Sequence, residues 1–189
     1  MEFLSFDLDG PIEIIPRKIE DERGYFVEVL RQSSFAEHGV PGTEFLQDNQ
    51  SLSVLPGTIR GIHFQTDPFA QGKLVRCLAG KVYDVAVDLR TDSPTYGRWI
   101  STILSPEQIN QLWVPVGFGH GFCTLEPNSV ISYRVTNYYS RDHDKGVAWD
   151  DPDIAVDWPE IASPETLSQK DRAQPSLAEL PPYFVMKDQ

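Results

Sequence analysis

Short runs of β-branched and aromatic residues recur along this chain, each closed by glycine, proline, asparagine or aspartate, and no long stretch keeps the apolar period of a helix. That rhythm confines the chain to an all-β sandwich or barrel. Strands are expected at Tyr25 to Leu30, Thr58 to Gln65, Lys73 to Leu78, Val82 to Leu89, Gln111 to Val114, Gly121 to Leu125 and Val130 to Tyr138. Only two brief helices announce themselves. One spans Ser34 to Glu37 with a capping-box spacing and a closing Gly39, and the other starts at Ser105 followed by Pro106.

"KLVRCL" and "VYDVAVDL" are joined by "AGK", which reads as a tight hairpin with glycine at the awkward backbone angle. In the second of these strands Tyr83, Val85, Val87 and Leu89 share one face, and Val82, Asp84, Ala86 and Asp88 the other. An aspartate between Val82 and Ala86 suggests a polar cavity inside a barrel. The competing reading is a solvated edge strand, which Asp88 favours. After Asp150 the chain turns proline-rich and acidic, yet Ile154, Val156, Trp158 and Leu167 offer anchors that an unpacked linker would lack. The expected organisation is a single domain over residues 1–189, with residues 150–189 as an ordered tail wrapped on the barrel.

At 189 residues the chain is long enough to bury a substantial core, and 40% hydrophobic with 23% charged residues is ordinary for a globular protein. No apolar run approaches the ~20 residues that span a bilayer. The opening "MEFLSFDLDGP" lacks the basic start and long apolar stretch of a secretory signal, so a cytoplasmic protein is expected. A net charge of −12 disfavours nonspecific association with nucleic acid or an anionic membrane. Any phosphate ligand must therefore be held by a local cluster of cations. The two cysteines, Cys77 and Cys123, lie in apolar segments and read as small buried hydrophobes without a functional role.

Of four histidines, His38 beside a short helix and His143 in "SRDHDKG" read as solvated surface residues. His63 in "RGIHFQ" and His120 in the glycine-rich turn "PVGFGHGF" sit in apolar β segments, and together they suggest a shared pocket. Metal binding by two scattered imidazoles is the weaker reading, because Gln65 stands where the second histidine of a His-x-His pair would be. A metal-free site needs a base, a group that steadies developing negative charge, and an acid. His63 has a suitable ordinary pKa for the base, Lys73 a suitable charge for the oxyanion, and Tyr133 a phenol that stays protonated until needed. From spacing alone Lys73 also fits an exposed strand end, and Tyr133 a core aromatic. Tyr133, Val135, Asn137 and Tyr139 share one face by alternation. Arg60 and His63 have opposite parity, so they face one pocket only if the strand bulges or twists near Gly61.

The motifs "DERGYFVE", "QDNQS", "IRGIHFQ", "QGKLVRC", "VYDVAVDLR", "SPTYGRW", "LWVPVGFGHGF", "YRVTNYYS", "WDDPDIAVDWP" and "LSQKD" follow one another from about Asp21 to Leu177. In this order the chain resembles the dTDP-4-dehydrorhamnose 3,5-epimerases, cupin-like jelly-roll enzymes of deoxysugar synthesis. The resemblance implies a nucleotide-linked 4-keto-6-deoxy-D-glucose as substrate, inverted at C3 and C5 without a cofactor or metal. It implies His63 as base, Asp171 as its orienting partner, Tyr133 as acid and Lys73 at the C4 oxygen. His120 resembles the second pocket histidine, with Asp84 as its carboxylate. Nucleotide and substrate contacts would fall to Arg23, Phe26, Glu28, Gln47, Asp48, Asn49, Arg60, Tyr139 and Lys170. Asp144 stands where such enzymes often carry glutamate. The segment from Arg23 to Glu28 would complete the neighbouring subunit's site, which implies a homodimer with exchanged N-terminal strands within residues 1–30. Within the same class, a single-carbon epimerase of an antibiotic sugar pathway is the alternative.

Overall fold

The computed structural model describes residues 1–40 and 45–186. In chain order the strands are β1 (Glu2–Ser5), β2 (Ile12–Ile15), β3 (Lys18–Asp21), β4 (Gly24–Val27), β5 (Gln47–Ser53), β6 (Ile59–Gln65) and β7 (Lys73–Ala79). They continue as β8 (Val82–Asp88), β9 (Trp99–Leu104), β10 (Gln111–Val114), β11 (Phe118–Thr124), β12 (Ser129–Val135) and β13 (Asp144–Gly146). The helices are α1 (Gln32–Glu37), α2 (Gln169–Arg172) and two single-turn 3₁₀ segments. Antiparallel pairing gives a six-stranded sheet, β1-β2-β10-β7-β12-β5, a five-stranded sheet, β13-β6-β11-β8-β9, and a separate β3-β4 hairpin. This is the expected all-β, cupin-like jelly roll.

Alternation along the strands builds the layers. Val75, Cys77, Leu112, Val114 and Ile131 from the six-stranded sheet meet Val82, Ala86, Leu104, Phe118 and Phe122 from the other in one buried cluster. Each buried aliphatic of this kind contributes about 1.5–3 kcal/mol relative to exposure. The opposite face of β8, with Val85 and Val87, is covered by Ile154, Leu177 and Phe184 from the chain after Asp150, and Val156 and Trp158 pack beside them. On the outside of the six-stranded sheet, Phe35 of α1 packs on Ile14, Leu74 and Trp113. Both cysteines are buried and unpaired, and burial pushes each thiol up to about 11, far from a reactive thiolate. Among the described residues no helix is long and apolar enough to cross a membrane.

Several local expectations are corrected. The "AGK" segment does not close a hairpin: β7 pairs with β10 and β12, whereas β8 pairs with β11 and β9, so the turn carries the chain from one sheet to the other. Its glycine reading survives, since Gly80 has φ +72° and an added Cβ would meet the Ser129 hydroxyl at 2.3 Å. Strand β8 is internal, and Asp88 is fully buried, its carboxylate taking hydrogen bonds from Arg90, Ser93 and Thr95. "PVGFGHGF" is mostly strand β11, not a turn.

Helix α1 starts at Gln32, and Ser34 caps nothing through its side chain, because Arg31 occupies the cap position. After Ser105 the chain makes one turn and stops at Ile109, whose φ of +57° cannot continue a helix. The strand expected to reach Tyr138 ends at Val135. Strand β5, "QDNQSLS", is polar and carries no strand signal in its sequence. His143 is half-buried, bonded to Ser140 and tilted against Phe69.

Candidate active site

The site lies between the two sheets. Across β6 and β11 His63 pairs with His120, but Arg60 pairs with Phe122, so β6 spends three steps where β11 spends two. That extra residue is a bulge at Gly61–Ile62, and it turns Arg60 and His63 to the same cavity. Only glycine fits at position 61: φ is +133°, and a Cβ would stand 2.5 Å from the Gly121 Cα.

An inner cavity of about 290 Å³ is lined by Ser51, Arg60, His63, His120, Phe122, Tyr133 and Asp171, among others. His63 Nε2 lies 2.5 Å from an Asp171 carboxylate oxygen, and the Asp171 side chain is only 5% exposed. The tail delivers this carboxylate on α2, whose N-cap Ser168 accepts a hydrogen bond from the Asp171 N–H. Burial alone would raise the Asp171 carboxyl. The hydrogen bond and charge of His63, with Ser168 and Lys170, outweigh burial and hold it below the usual carboxylate range. The contact therefore fixes the Nε2–H tautomer and leaves Nδ1 as the ring's acceptor.

Lys73 opens β7 in the opposite sheet, is buried, and donates from Nζ to the His63 carbonyl at 3.1 Å. Burial lowers its pKa to about 8, although Asp144 and Asp84 pull the other way. An ammonium this poorly solvated attracts any anion that enters. Tyr133 comes from β12, and burial raises its phenol. His120 Nε2 meets both carboxylate oxygens of Asp84 at 2.9 and 3.1 Å, and Asp84 is fully buried behind it.

An outer cavity of about 340 Å³ shares His63, Lys73, Tyr133 and Lys170 with the inner one and adds Gln47, Asn49, Gln65, Gln71, Tyr139 and Asp144. The two form one cleft with two lobes. At its mouth Asp144 accepts from Lys170 at 2.5 Å and from the Tyr139 hydroxyl at 3.0 Å. Arg60 is held by the Ser53 hydroxyl and the Leu52 carbonyl. Among the described residues no group of three or more His, Cys, Asp or Glu side chains converges as metal ligands would.

Residues 5–179 match the model of the family described as dTDP-4-dehydrorhamnose 3,5-epimerase. The chain belongs to that family. An enzyme of this name from Sinorhizobium fredii is 54% identical over 97% of this chain and 93% of its own. The fold superposes on the Legionella pneumophila dTDP-6-deoxy-D-glucose-3,5-epimerase, solved in complex with dTDP-4-keto-L-rhamnose, with a TM-score of 0.92, 37% identity and 99% coverage of both chains. A 3′-monoepimerase from Streptomyces bikiniensis, solved in complex with dTDP-quinovose, is also similar, at a TM-score of 0.84 and 31% identity over 92% of this chain and 86% of that one.

In this epimerase-family chain the cleft gathers His63, Lys73, Tyr133, Asp171, His120, Arg60, Gln47, Asn49, Tyr139, Asp144 and Lys170. It leaves out others of the expected set. Asp48 alternates to the exposed face of β5, where it meets Ser132 and Arg134, so it stands apart from the cleft. Asp84 adjoins the cleft only through His120. Arg23 and Phe26 lie on the exposed β3-β4 hairpin and Glu28 just beyond it, where Arg23 pairs with Asp21 and Glu28 with Arg31. Ser51, Gln65, Gln71, Phe122 and Ser168 were not among the expected residues. Ser51 was within reach of sequence reasoning, because it follows Gln47 and Asn49 at the same parity.

Proposed function

We propose that this enzyme inverts C3 and C5 of dTDP-4-dehydro-6-deoxy-D-glucose to give dTDP-4-dehydro-L-rhamnose. The observation that carries the reading is the adjacency of base and cation: buried Lys73 donates to the main-chain carbonyl of His63, whose ring is locked by Asp171. His63 Nδ1 takes the proton from the carbon beside the C4 ketone, and the electron pair moves onto O4. The Lys73 ammonium meets that oxygen, where preorganised charge typically supplies several kcal/mol. Tyr133 then returns a proton from the other side of the ring, and its raised pKa keeps the phenol protonated until the carbanion demands it. One proton leaves and one arrives at each carbon, so no electrons are exchanged and no redox cofactor is called for.

Arg60 and Lys170 supply cations for the diphosphate, and Gln47, Asn49 and the Tyr139 ring line the outer lobe where the nucleotide would lie. Arg23, Phe26 and Glu28 act across a homodimer, in the partner's site. An exposed hairpin carrying Ile19, Tyr25 and Phe26, each more than half exposed, supports that role. Incubation with the 4-keto sugar nucleotide in D₂O, followed by NMR, tests the proposal. Deuterium at both C3 and C5 with an L-configured product is expected. Label at one carbon alone would make the enzyme a monoepimerase, and no label would overturn the reading.

A further inference from the structure

Gln65 ends strand β6 two residues after His63 and is only 4% exposed. Its amide is wholly committed to two loops. The Nε2 group donates to the Phe69 carbonyl at 2.7 Å and to the Tyr138 carbonyl at 3.0 Å, and Oε1 accepts from the Ser140 N–H at 2.7 Å. The last two partners flank Tyr139 on either side. Tyr139 itself donates its N–H to Gln47 Oε1 at 3.0 Å and its hydroxyl to Asp144. Yet 58% of Tyr139 is exposed. An exposed ring on a main chain bonded before, at and after it is a prepaid stacking surface: it loses little freedom when a flat ligand lies on it.

The same two loops are laced again nearby. Gln71 donates to the Asn137 carbonyl at 2.7 Å, and Asn137 donates to the Pro68 carbonyl at 2.9 Å. These side chains bond main-chain carbonyls of a segment that no strand pairing holds.

We propose that Gln65 is a positioning residue for nucleotide binding: by gripping the chain on both sides of Tyr139, it presets the ring on which the base of the sugar nucleotide stacks. This rests on the reading of the outer lobe as the nucleotide side. Gln65 touches none of the groups proposed for proton transfer through its hydrogen bonds, so its effect falls on affinity and spares the chemical step.

The test is a double-mutant cycle of Gln65→Met and Tyr139→Ala, read as the Kd for dTDP by calorimetry and as kcat and KM with the sugar nucleotide. Gln65→Met alone is expected to weaken dTDP about tenfold and to raise KM alike, with kcat within about threefold of wild type. In the Tyr139→Ala background the same substitution is expected to change Kd less than twofold, because the preset ring is already gone. A general structural role would instead give additive losses in the cycle. Additive losses, an unchanged Kd, or a fall in kcat at constant KM would each overturn the proposal. If Gln65→Met does not fold, Gln65→Glu, which keeps the acceptor for Ser140 and loses both donors, enters the same cycle. Wild-type protein that fails to bind dTDP would instead refute the functional reading, which separates the two failures.

Discussion

Replacing Lys73 by methionine is expected to make the protein more stable and nearly inactive. Burial moves this ammonium from 10.5 to about 8. At about 1.4 kcal/mol per pH unit, holding the charge inside costs about 3 kcal/mol at neutral pH. The sign follows from proton binding: between pH 8 and 10.5 the unfolded chain binds more protons at this site than the folded one. Stability at this site is therefore gained as pH rises through that window, and the penalty is present in full below pH 8. Methionine fills a similar volume without the charge, so Lys73→Met should recover up to about 3 kcal/mol, a rise in Tm of several degrees for a chain of this size. The same change removes the cation proposed for O4, and loss of one such donor typically costs about 10²- to 10³-fold in kcat. In the wild type, kcat/KM should fall above pH 8 and reach about a tenth of its plateau at pH 9, as the ammonium loses its proton. Thermal unfolding of both proteins at pH 7, with a pH-rate profile of the wild type, measures all three quantities. A less stable Lys73→Met variant, retained activity, or a flat profile from pH 7 to 9 would refute the reasoning.

The other predictions concern the base, the acid, the bulge and the dimer. His63→Ala should abolish deuterium uptake at C3 and C5, since one imidazole is proposed to serve both carbons, and uptake near the wild-type rate would remove His63 from that role. Tyr133→Phe should keep proton removal better than inversion, measured as solvent exchange against product formation. Gly61→Ala should destabilise the fold by more than about 2 kcal/mol in a denaturant titration, because the new Cβ meets the Gly121 backbone at 2.5 Å and φ is +133°. Mixing refolded His63→Ala and Arg23→Ala subunits should restore about a quarter of wild-type activity at low substrate, since half the random dimers carry one intact composite site. No restoration would place Arg23 in its own subunit's site, and a fully active Arg23→Ala variant would place it in none.

The β rhythm and the alternation in "VYDVAVDL" were enough to specify an all-β sandwich or barrel, because strand periodicity is a local property of the chain. Motif order was enough to specify the family. Pairing partners were beyond that reach: "KLVRCLAGKVYDVAVDL" has every local mark of a hairpin, but its two strands pair with β10 and β12 on one side and β11 and β9 on the other, partners that are distant in the chain. Buried Asp88 looked solvated because Arg90, Ser93 and Thr95, which satisfy it, meet it only in a folded turn.

The sequence by itself determined the fold class and, through the order of its motifs, the family; His63, Lys73, Tyr133 and Asp171 follow as a set only from that resemblance, because spacing alone also fits Lys73 to an exposed strand end and Tyr133 to a core aromatic. Only the tertiary structure decided that Arg60 and His63 share a cavity despite opposite parity, that Asp48 leaves it, and that Gln65 grips the loop of Tyr139 from 73 or more residues away in the chain. The physical reason is range. Alternation fixes a side chain's face only within an unbroken strand, and one extra residue at Gly61 reverses it, whereas hydrogen bonds between distant loops exist only once both sheets have closed around the cleft.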